Sequence, residues 1–259
     1  MLIRGKKKYH YMYNKNINLE ITRKRYFRNN NKKKIVIYAH SFFDSPHLRG
    51  NFLFSDFNEW LKFLSKISKK TNYDWYLKPH PAYIDDNQTF INKFLKENKH
   101  IKKIDINASN YNLIKEGLYC ALTIYGSCAS ELSYYGVKVI NADRTNPHSN
   151  YNFSFNPKTI KELEDLIINI NKRKLNYSKN ELYEYHYMNQ FFFHKNYLFQ
   201  DINNLHRRQN KRQKIYSLKM YNYWIKNFDC KKHENIKNSI LNFYNSGDYI
   251  LGIKHNKNY

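Results

Sequence analysis

The sequence predicts an α/β fold in which helices cover both faces of a parallel β-sheet. Short apolar runs rich in β-branched residues alternate about five times with segments of helical periodicity. The runs are apolar almost throughout, which is typical of strands buried on both faces. A polar loop follows most of them. We therefore expect a Rossmann-like, doubly wound domain over residues 35–172, followed by a helical C-terminal extension.

Five strands are predicted from the apolar runs. The first contains Ile35, Val36 and Ile37, and the second ends abruptly at Lys78. The two prolines that follow the second strand cannot donate to a β-ladder, so a central strand cannot continue through them. The predicted strands are 34–39, 73–78, 101–104, 118–124 and 137–140.

Helices are predicted between and after these strands. Ser55 or Asp56 caps the first one, and Gly117 occupies a left-handed position after the third. Pro157 is expected to open the fifth helix. The predicted helices are 56–70, 87–98, 110–116, 128–135, 157–171 and 180–200.

The net charge of +24 is concentrated in the two flanks of the chain. Residues 1–34 carry twelve lysines and arginines against Glu20 alone, and residues 205–259 carry twelve against three acids. We interpret 1–34 as a basic lead-in, 173–204 as a packing helix and 205–259 as a basic helical tail. Such flanks suit an anionic membrane, an anionic polymer or nucleic acid, or they are simply solvated.

Composition excludes several classes of protein. A hydrophobic fraction of 41% is too high for a disordered chain. No run of about 18 apolar residues predicts a membrane span, and the N-terminus lacks the apolar core of a signal peptide. We therefore expect a cytoplasmic protein, with peripheral contact at the inner face of the membrane through its basic flanks. The three cysteines lack metal-ligand spacing, so neither a metal nor a disulfide framework is expected, and Cys120 is predicted to lie in the core.

The first candidate site is the end of the second strand. Lys78 and His80 stand there on a support stiffened by Pro79 and Pro81. Ligands of open α/β sheets bind at the carboxyl ends of the strands. We predict that Lys78, His80 and Pro81 contact an anionic ligand; an ordinary loop is the alternative.

The second candidate site follows the fourth strand. Gly126 permits close backbone approach, and Ser127 stands where the next helix begins. Ser127 and Ser130 could donate hydroxyl hydrogen bonds to a phosphate, while Glu131 could accept them from a ribose. Capping by Ser127 is the alternative. The segment has neither a Walker lysine nor a Gly-x-Gly-x-x-Gly pattern.

The third candidate site is the polar loop after the first strand. It contains His40, Asp44 and His47, of which Asp44 is the best candidate for a general base. Arg49 and the Gly50 amide could meet a phosphate. In the alternative interpretation Asp44 closes an Asx turn and the histidines are solvated.

All three candidate sites follow predicted strands, so we expect them to meet at one edge of the sheet. Cations and a helix terminus would face few acids there, which suits a diphosphate. His148, after the fifth strand, is expected to line the same cleft.

The segments around His40–His47, Lys78–Pro81 and Gly126–Glu131 resemble bacterial surface-polysaccharide glycosyltransferases of the GT-B type. A His-Pro element after a strand and a serine element opening a later helix also recur in bacterial sialyltransferases and Kdo transferases. The resemblance covers roughly residues 35–200. It implies that His80 and Pro81, together with Ser127 and Ser130, bind the phosphate of an activated sugar. Within this chain we expect Asp44 and His80 to take part in catalysis.

The resemblance implies a glycosyltransferase that moves a sugar from a nucleotide-sugar donor to a growing capsule or lipopolysaccharide. The acceptor would be a saccharide or a lipid-linked saccharide. GT-B enzymes have two such domains, and this chain resembles only the nucleotide-binding one. We thus expect a truncated, split or single-domain form, with a partner chain as a source of the acceptor site.

Two alternatives to this function are a polyol-phosphate transferase of the teichoic-acid type and a non-enzymatic module that binds anions or nucleic acid. Nucleic acid is the less expected of those ligands. No Asp-x-Asp pair is present, so neither a metal nor a cofactor is expected beyond the nucleotide-sugar substrate.

Overall fold

The computed structural model describes residues 24–42, 51–80 and 85–190, and in the C-terminal part residues 218, 222, 225–226, 228–231, 233–248 and 251–255. The chain divides into two compact units, residues 1–177 and 178–259. Each unit is described by itself below.

The first unit contains a five-stranded sheet in which every pairing is parallel. The strand order is β3-β2-β1-β4-β5, so β1 is central and the chain winds outward from it in both directions. This confirms the predicted Rossmann-like α/β fold. The strands are β1 (Lys34–Tyr38), β2 (Asp74–Lys78), β3 (Ile101–Lys103), β4 (Leu118–Thr123) and β5 (Lys138–Asn141).

Five helices follow the strands of this unit. In the first of them, Trp60, Leu61 and Leu64 are almost fully buried at the spacing that one helix face requires. Burial of each such side chain contributes about 1.5–3 kcal/mol. The helices are α1 (Phe57–Ser68), α2 (Asp85–Glu97), α3 (Asn110–Lys115), α4 (Cys128–Tyr134) and α5 (Ile160–Ile168).

Successive side chains of a strand point to opposite faces of the sheet, so the strands pack into two separate cores. Ile35 and Leu77 pack on the face covered by α1, α2 and α5. Val36, Tyr76 and Ala121 pack on the face covered by α3 and α4. Helices therefore cover both faces, and the polar ends of the strands are left as the place for a ligand.

Element bounds differ from the sequence-based prediction mainly where a side chain caps a helix. Pro157 does not open α5: Thr159 accepts a hydrogen bond from the Glu162 amide, and the helix starts at Ile160. At α1, Asp56 is the capping residue, through its bond to the Glu59 amide. Gly117 has a φ of 91°, the left-handed position expected for it.

The second unit is helical where it is described. Helix α6 (Lys179–Gln190) buries Leu182, Tyr185 and Met188, as its apolar spacing predicts, and α7 spans Glu234–Ser246. After α7, a 3-10 turn at Ile253–His255 folds back on the helix. None of the helices described is both long and apolar enough to cross a bilayer.

The turn after α7 is held by the buried ring of His255. Its Nε2 lies 2.8 Å from Asp248 Oδ2 and 3.2 Å from Ser246 Oγ, and its Nδ1 lies 2.8 Å from the Gly252 amide. Serine and aspartate meet the same ring nitrogen, whereas a hydrolytic triad needs them on opposite nitrogens. The cluster is therefore structural, and its hydrogen bonds hold the turn after α7 in place.

Candidate functional site

The candidate site lies at the carboxyl edge of the sheet, where β1 and β4 are neighbours. From these two strands the chain proceeds to opposite sides of the sheet, since β2 and β3 lie beyond β1 and β5 lies beyond β4. A parallel sheet opens a crevice for ligands at such a switch point. His40 follows β1, and Tyr125 and Gly126 follow β4.

His40 is the centre of this edge. Its Nε2 lies 3.5 Å from Thr123 Oγ1, and its ring centroid lies 4.5 Å from that of Tyr125. The ring of His80, from the end of β2, lies 6.5 Å away and is inclined by only 24°. Three loops that are far apart in the sequence thus bring two imidazoles together.

Gly126 is required at this edge by close approach. A Cβ placed there would lie 2.6 Å from Thr123 Oγ1 and 3.7 Å from His40 Nε2, and the first distance is too short for any side chain. The Gly126 amide donates to Thr123 Oγ1 at 3.2 Å. The glycine therefore lets the backbone pass directly beside His40.

Lys78, the last residue of β2, places a largely buried lysine at the same edge of the sheet. The residue is only 8% exposed, and its Nζ lies 5.9 Å from the centroid of the Tyr38 ring. Among the described residues, no acceptor bonds to Nζ. Burial lowers the pKa of Lys78, although Glu131 and Asp105 oppose that shift.

A second buried lysine shows how this protein satisfies such a charge elsewhere. Lys34 is 7% exposed at the opposite end of β1, where its Nζ donates to both Asn30 O and Lys32 O at 2.5 Å and to Asn30 Oδ1 at 2.9 Å. Buried charges normally have such partners, because removing an ammonium from water is costly. The two lysines therefore differ: Lys34 has bonded acceptors, whereas Lys78 has none among the described residues.

A chain of hydrogen bonds borders Lys78 on the α3 and α4 side. The Tyr38 hydroxyl donates to Asn110 Oδ1 at 3.1 Å, and Asn110 Nδ2 donates to Glu131 Oε2 at 2.8 Å. Glu131 remains exposed, yet partial loss of water around its carboxylate raises its pKa against the opposing effects of Asn110 and Lys78. The Glu131 carboxylate thus lies at the rim, where the side-chain amide of Asn110 holds it in place and where it can accept further hydrogen bonds.

The two serines of α4 differ in what their hydroxyls do. Ser127 is exposed and occupies the N-cap position, but its side chain makes no capping hydrogen bond. Ser130 is 3% exposed and donates to Ser127 O at 3.1 Å. Only the Ser127 hydroxyl is therefore displayed at the surface of the rim.

His148, in the loop after β5, is buried and does not line an open cleft. Its ring is fully buried and packs edge-on against Phe153, with centroids 5.6 Å apart. Its amide donates to Asn146 Oδ1 at 2.8 Å. This environment suits a structural residue of the loop better than a group that lines an open cleft.

Four of the residues singled out in the sequence, Asp44, His47, Arg49 and Pro81, lie outside the described residues, as does Gly50. Their roles stay predictions. Before residues 43–50, the Phe42 amide donates to the buried Asn87 Oδ1 at 2.8 Å. After them, the Leu53 amide donates to Ala142 O at 3.1 Å.

Three residues of the site were missed by sequence reasoning: Tyr38, Asn110 and Thr123. Tyr38 and Thr123 each end a strand, and Asn110 opens α3. The rule that strand ends meet at one edge could have found Tyr38 and Thr123. Asn110 carried no signal beyond its place at a helix start.

In the ranges that the structure describes, no group of three or more His, Cys, Asp or Glu side chains is arranged to hold a metal ion. No protein-family model, curated protein or solved structure matches this chain.

Proposed function

We propose that this protein is a glycosyltransferase that binds a nucleotide sugar at the carboxyl edge of its sheet and transfers the sugar to a growing surface polysaccharide. The observation that carries the proposal is Lys78, a lysine that is only 8% exposed and whose Nζ has no hydrogen-bond acceptor among the described residues. A diphosphate offers hydrogen-bond acceptors to such a cation.

Other groups at the carboxyl edge of the sheet suit the same ligand. His40 and His80 lie within one stacking distance of each other, and the backbone at Gly126 passes beside them without a side chain in the way. Ser127 displays its hydroxyl at the same rim. Imidazole, hydroxyl and ammonium donors all recognise phosphate oxygens.

The chemistry proposed is transfer of a glycosyl group. An acceptor hydroxyl forms a bond to the anomeric carbon, the bond from that carbon to the diphosphate oxygen breaks, and the hydroxyl proton passes to a base. Negative charge grows on the departing nucleotide, so a fixed cation at its phosphate stabilises the transition state more than the ground state. Asp44 is the proposed base, and the acceptor remains a saccharide or lipid-linked saccharide.

The test is a thermal-shift screen of the purified protein against CMP-, CDP-, UDP- and GDP-sugars, with matched lysine variants. Binding to the native state raises the unfolding temperature, so one nucleotide class should stabilise the protein. Lys78→Met should weaken that ligand about tenfold or more, the range for a hydrogen bond to a charged group. The free energy of unfolding without ligand should stay the same or rise, because a desolvated charge is removed.

Lys34→Met is the control for burying a methionine in place of a lysine. It removes the donor to the oxygens of Asn30 and Lys32, but both residues are exposed and water can replace that donor, so we expect a loss of about 1 kcal/mol of stability and unchanged ligand affinity. The proposal fails if no nucleotide shifts the wild type, or if Lys78→Met binds as tightly as the wild type. Stabilisation by a CDP-polyol, with no response to nucleotide sugars, would assign polyol-phosphate transfer instead.

A further inference from the structure

Helix α7 of the second unit carries an apolar arc that is wider than its buried side. Ile236 is buried, whereas Ile240, Leu241 and Tyr244 are 46%, 47% and 81% exposed. These three exposed residues share one side of the helix and are called the α7 stripe below; Lys237 lies on that side too. An exposed stripe of large apolar side chains is unusual for a surface that faces water only.

A second set of exposed apolar side chains lies earlier in the same unit. Leu218 and Ile225 have helical backbone and are 76% and 74% exposed, and Phe228 is 50% exposed. Leu218, Ile225 and Phe228 are called the upstream stripe below. Asn222, between the first two, is exposed and uncharged, and Lys226 is exposed as well.

The charge of this region indicates which kind of surface the stripes would meet. Residues 205–259 carry twelve lysines and arginines against three acids. An anionic bilayer attracts clustered cations at about 1 kcal/mol each and accepts apolar side chains into its headgroup region. Nucleic acid phosphates would engage the cations but leave the aliphatic side chains in water.

We propose that the α7 stripe and the upstream stripe dock the protein on an anionic phospholipid surface, with the lysines and arginines of residues 205–259 meeting the headgroups. The inference is independent of the proposed glycosyl transfer, because none of its residues belongs to the sheet edge. It assigns the C-terminal unit a membrane-surface role.

The experiment is co-sedimentation of the full chain with vesicles. Vesicles of about equal parts phosphatidylglycerol and phosphatidylcholine should bind the protein at about 0.15 M salt, and vesicles of phosphatidylcholine alone should bind it much less. The double variant Leu241→Asn, Tyr244→Asn should bind about tenfold more weakly, because it removes apolar contact while the charge stays the same.

The matched control changes the polar side of the same helix. Asn238→Ser, Asn245→Ser should bind vesicles as the wild type does. The variant Leu218→Asn, Ile225→Asn repeats the test at the upstream stripe, so the proposal stays testable if one double variant fails to fold by circular dichroism. All these side chains are exposed, so we expect folded variants.

Several outcomes would overturn the proposal. Equal binding by the wild type and both stripe variants would show that the stripes take no part. Equal binding to neutral and anionic vesicles would remove the role of the cations. Binding to single-stranded RNA without binding to vesicles would assign the basic tail to nucleic acid, and a dimer that the stripe variants convert to monomers would make the stripes a protein interface.

Discussion

At the residue scale, burial of the Lys78 charge costs the protein stability in the absence of a ligand, and we propose that this charge binds the phosphates of one. Its folded-state pKa lies below the ordinary 10.5 because burial disfavours the ammonium more than Glu131 and Asp105 favour it. Other groups near it stay in one form at neutral pH: burial holds the pKa of the Cys128 thiol at about 12 and that of Tyr38 well above 10. Of these three groups, only Lys78 has a pKa that is shifted toward neutral.

This shift predicts how ligand affinity depends on pH. An anion needs the ammonium, so affinity for the nucleotide should fall as pH rises through the lowered pKa of Lys78, before an exposed lysine would lose its proton. Without ligand the sign is opposite: the unfolded chain holds the proton up to about 10.5, so stability gains as pH rises through that window. Calorimetric titration of the nucleotide between neutral pH and about pH 10 measures the first effect.

Lys78→Arg is the control, since arginine stays charged across this range. Its nucleotide affinity should be nearly flat with pH. A flat profile for the wild type would show that Lys78 makes no contact with the bound phosphates.

At the element scale, α3 and α4 begin in the same way in the sequence and differently in space. Ser109 accepts a hydrogen bond from the Asn112 amide at 3.1 Å and so caps α3. Ser127 stands at the equivalent position of α4 in helical conformation, with φ of −59° and no such bond. The Ser127 hydroxyl is therefore not used for capping α4.

The pair of serines predicts opposite phenotypes. Ser109→Ala should cost about 1 kcal/mol of stability, the typical value of a lost N-cap bond, and should leave nucleotide affinity unchanged. Ser127→Ala should leave the denaturation midpoint nearly unchanged and weaken nucleotide binding severalfold. Urea denaturation and ligand titration of both variants provide the comparison. If Ser127→Ala destabilised the protein as much as Ser109→Ala and bound nucleotide normally, Ser127 would be structural.

At the scale of the whole molecule, the excess of positive charge opposes compactness. The net charge is +24, and the described ion pairs between lysine or arginine and acids are all at least partly exposed to solvent. Such pairs contribute about 0–1 kcal/mol each, so they do not offset the repulsion among so many cations. Salt screens both the attraction within ion pairs and the repulsion among cations, and the repulsion is the larger of these two energies.

Rising salt should therefore have opposite effects on folding and on binding. Between about 0.01 M and 0.15 M salt the Debye length shortens from about 30 Å to 8 Å, so the unfolding temperature should rise. Nucleotide affinity should fall over the same range, because the field that attracts a diphosphate is screened. Scanning calorimetry with and without ligand measures both, and a fall in the ligand-free unfolding temperature would show that attractive pairs dominate instead.

Much of the fold could be predicted because its signals are local. Runs such as Ile35–Ile37 are apolar on both faces, and the stripe of Trp60, Leu61 and Leu64 has helical spacing; both patterns require only neighbouring residues. Single polar contacts set the ends of elements, which is why α5 starts after Thr159 and not at Pro157. The sequence could not show which of several candidate residues would cap each helix.

The candidate site was predictable only as far as strand ends could be recognised. His40, His80 and Gly126 were named because each follows an apolar run, and parallel strands carry such residues to one edge. The interior position of His148 was not predictable, because it depends on how the loop after β5 folds over Phe153. Asn110 was missed for a similar reason, since its partners Tyr38 and Glu131 come from other strands and helices.

By itself, then, the sequence determined the alternation of strands and helices, the parallel sheet and the polar residues at strand ends, because hydrophobic periodicity encodes them. Only the tertiary structure decided that Lys78 is buried without an acceptor among the described residues while Lys34 is fully bonded. Both lysines look alike along the chain. Hydrogen bonding and desolvation depend on groups that folding brings from distant segments, so the difference exists only in three dimensions.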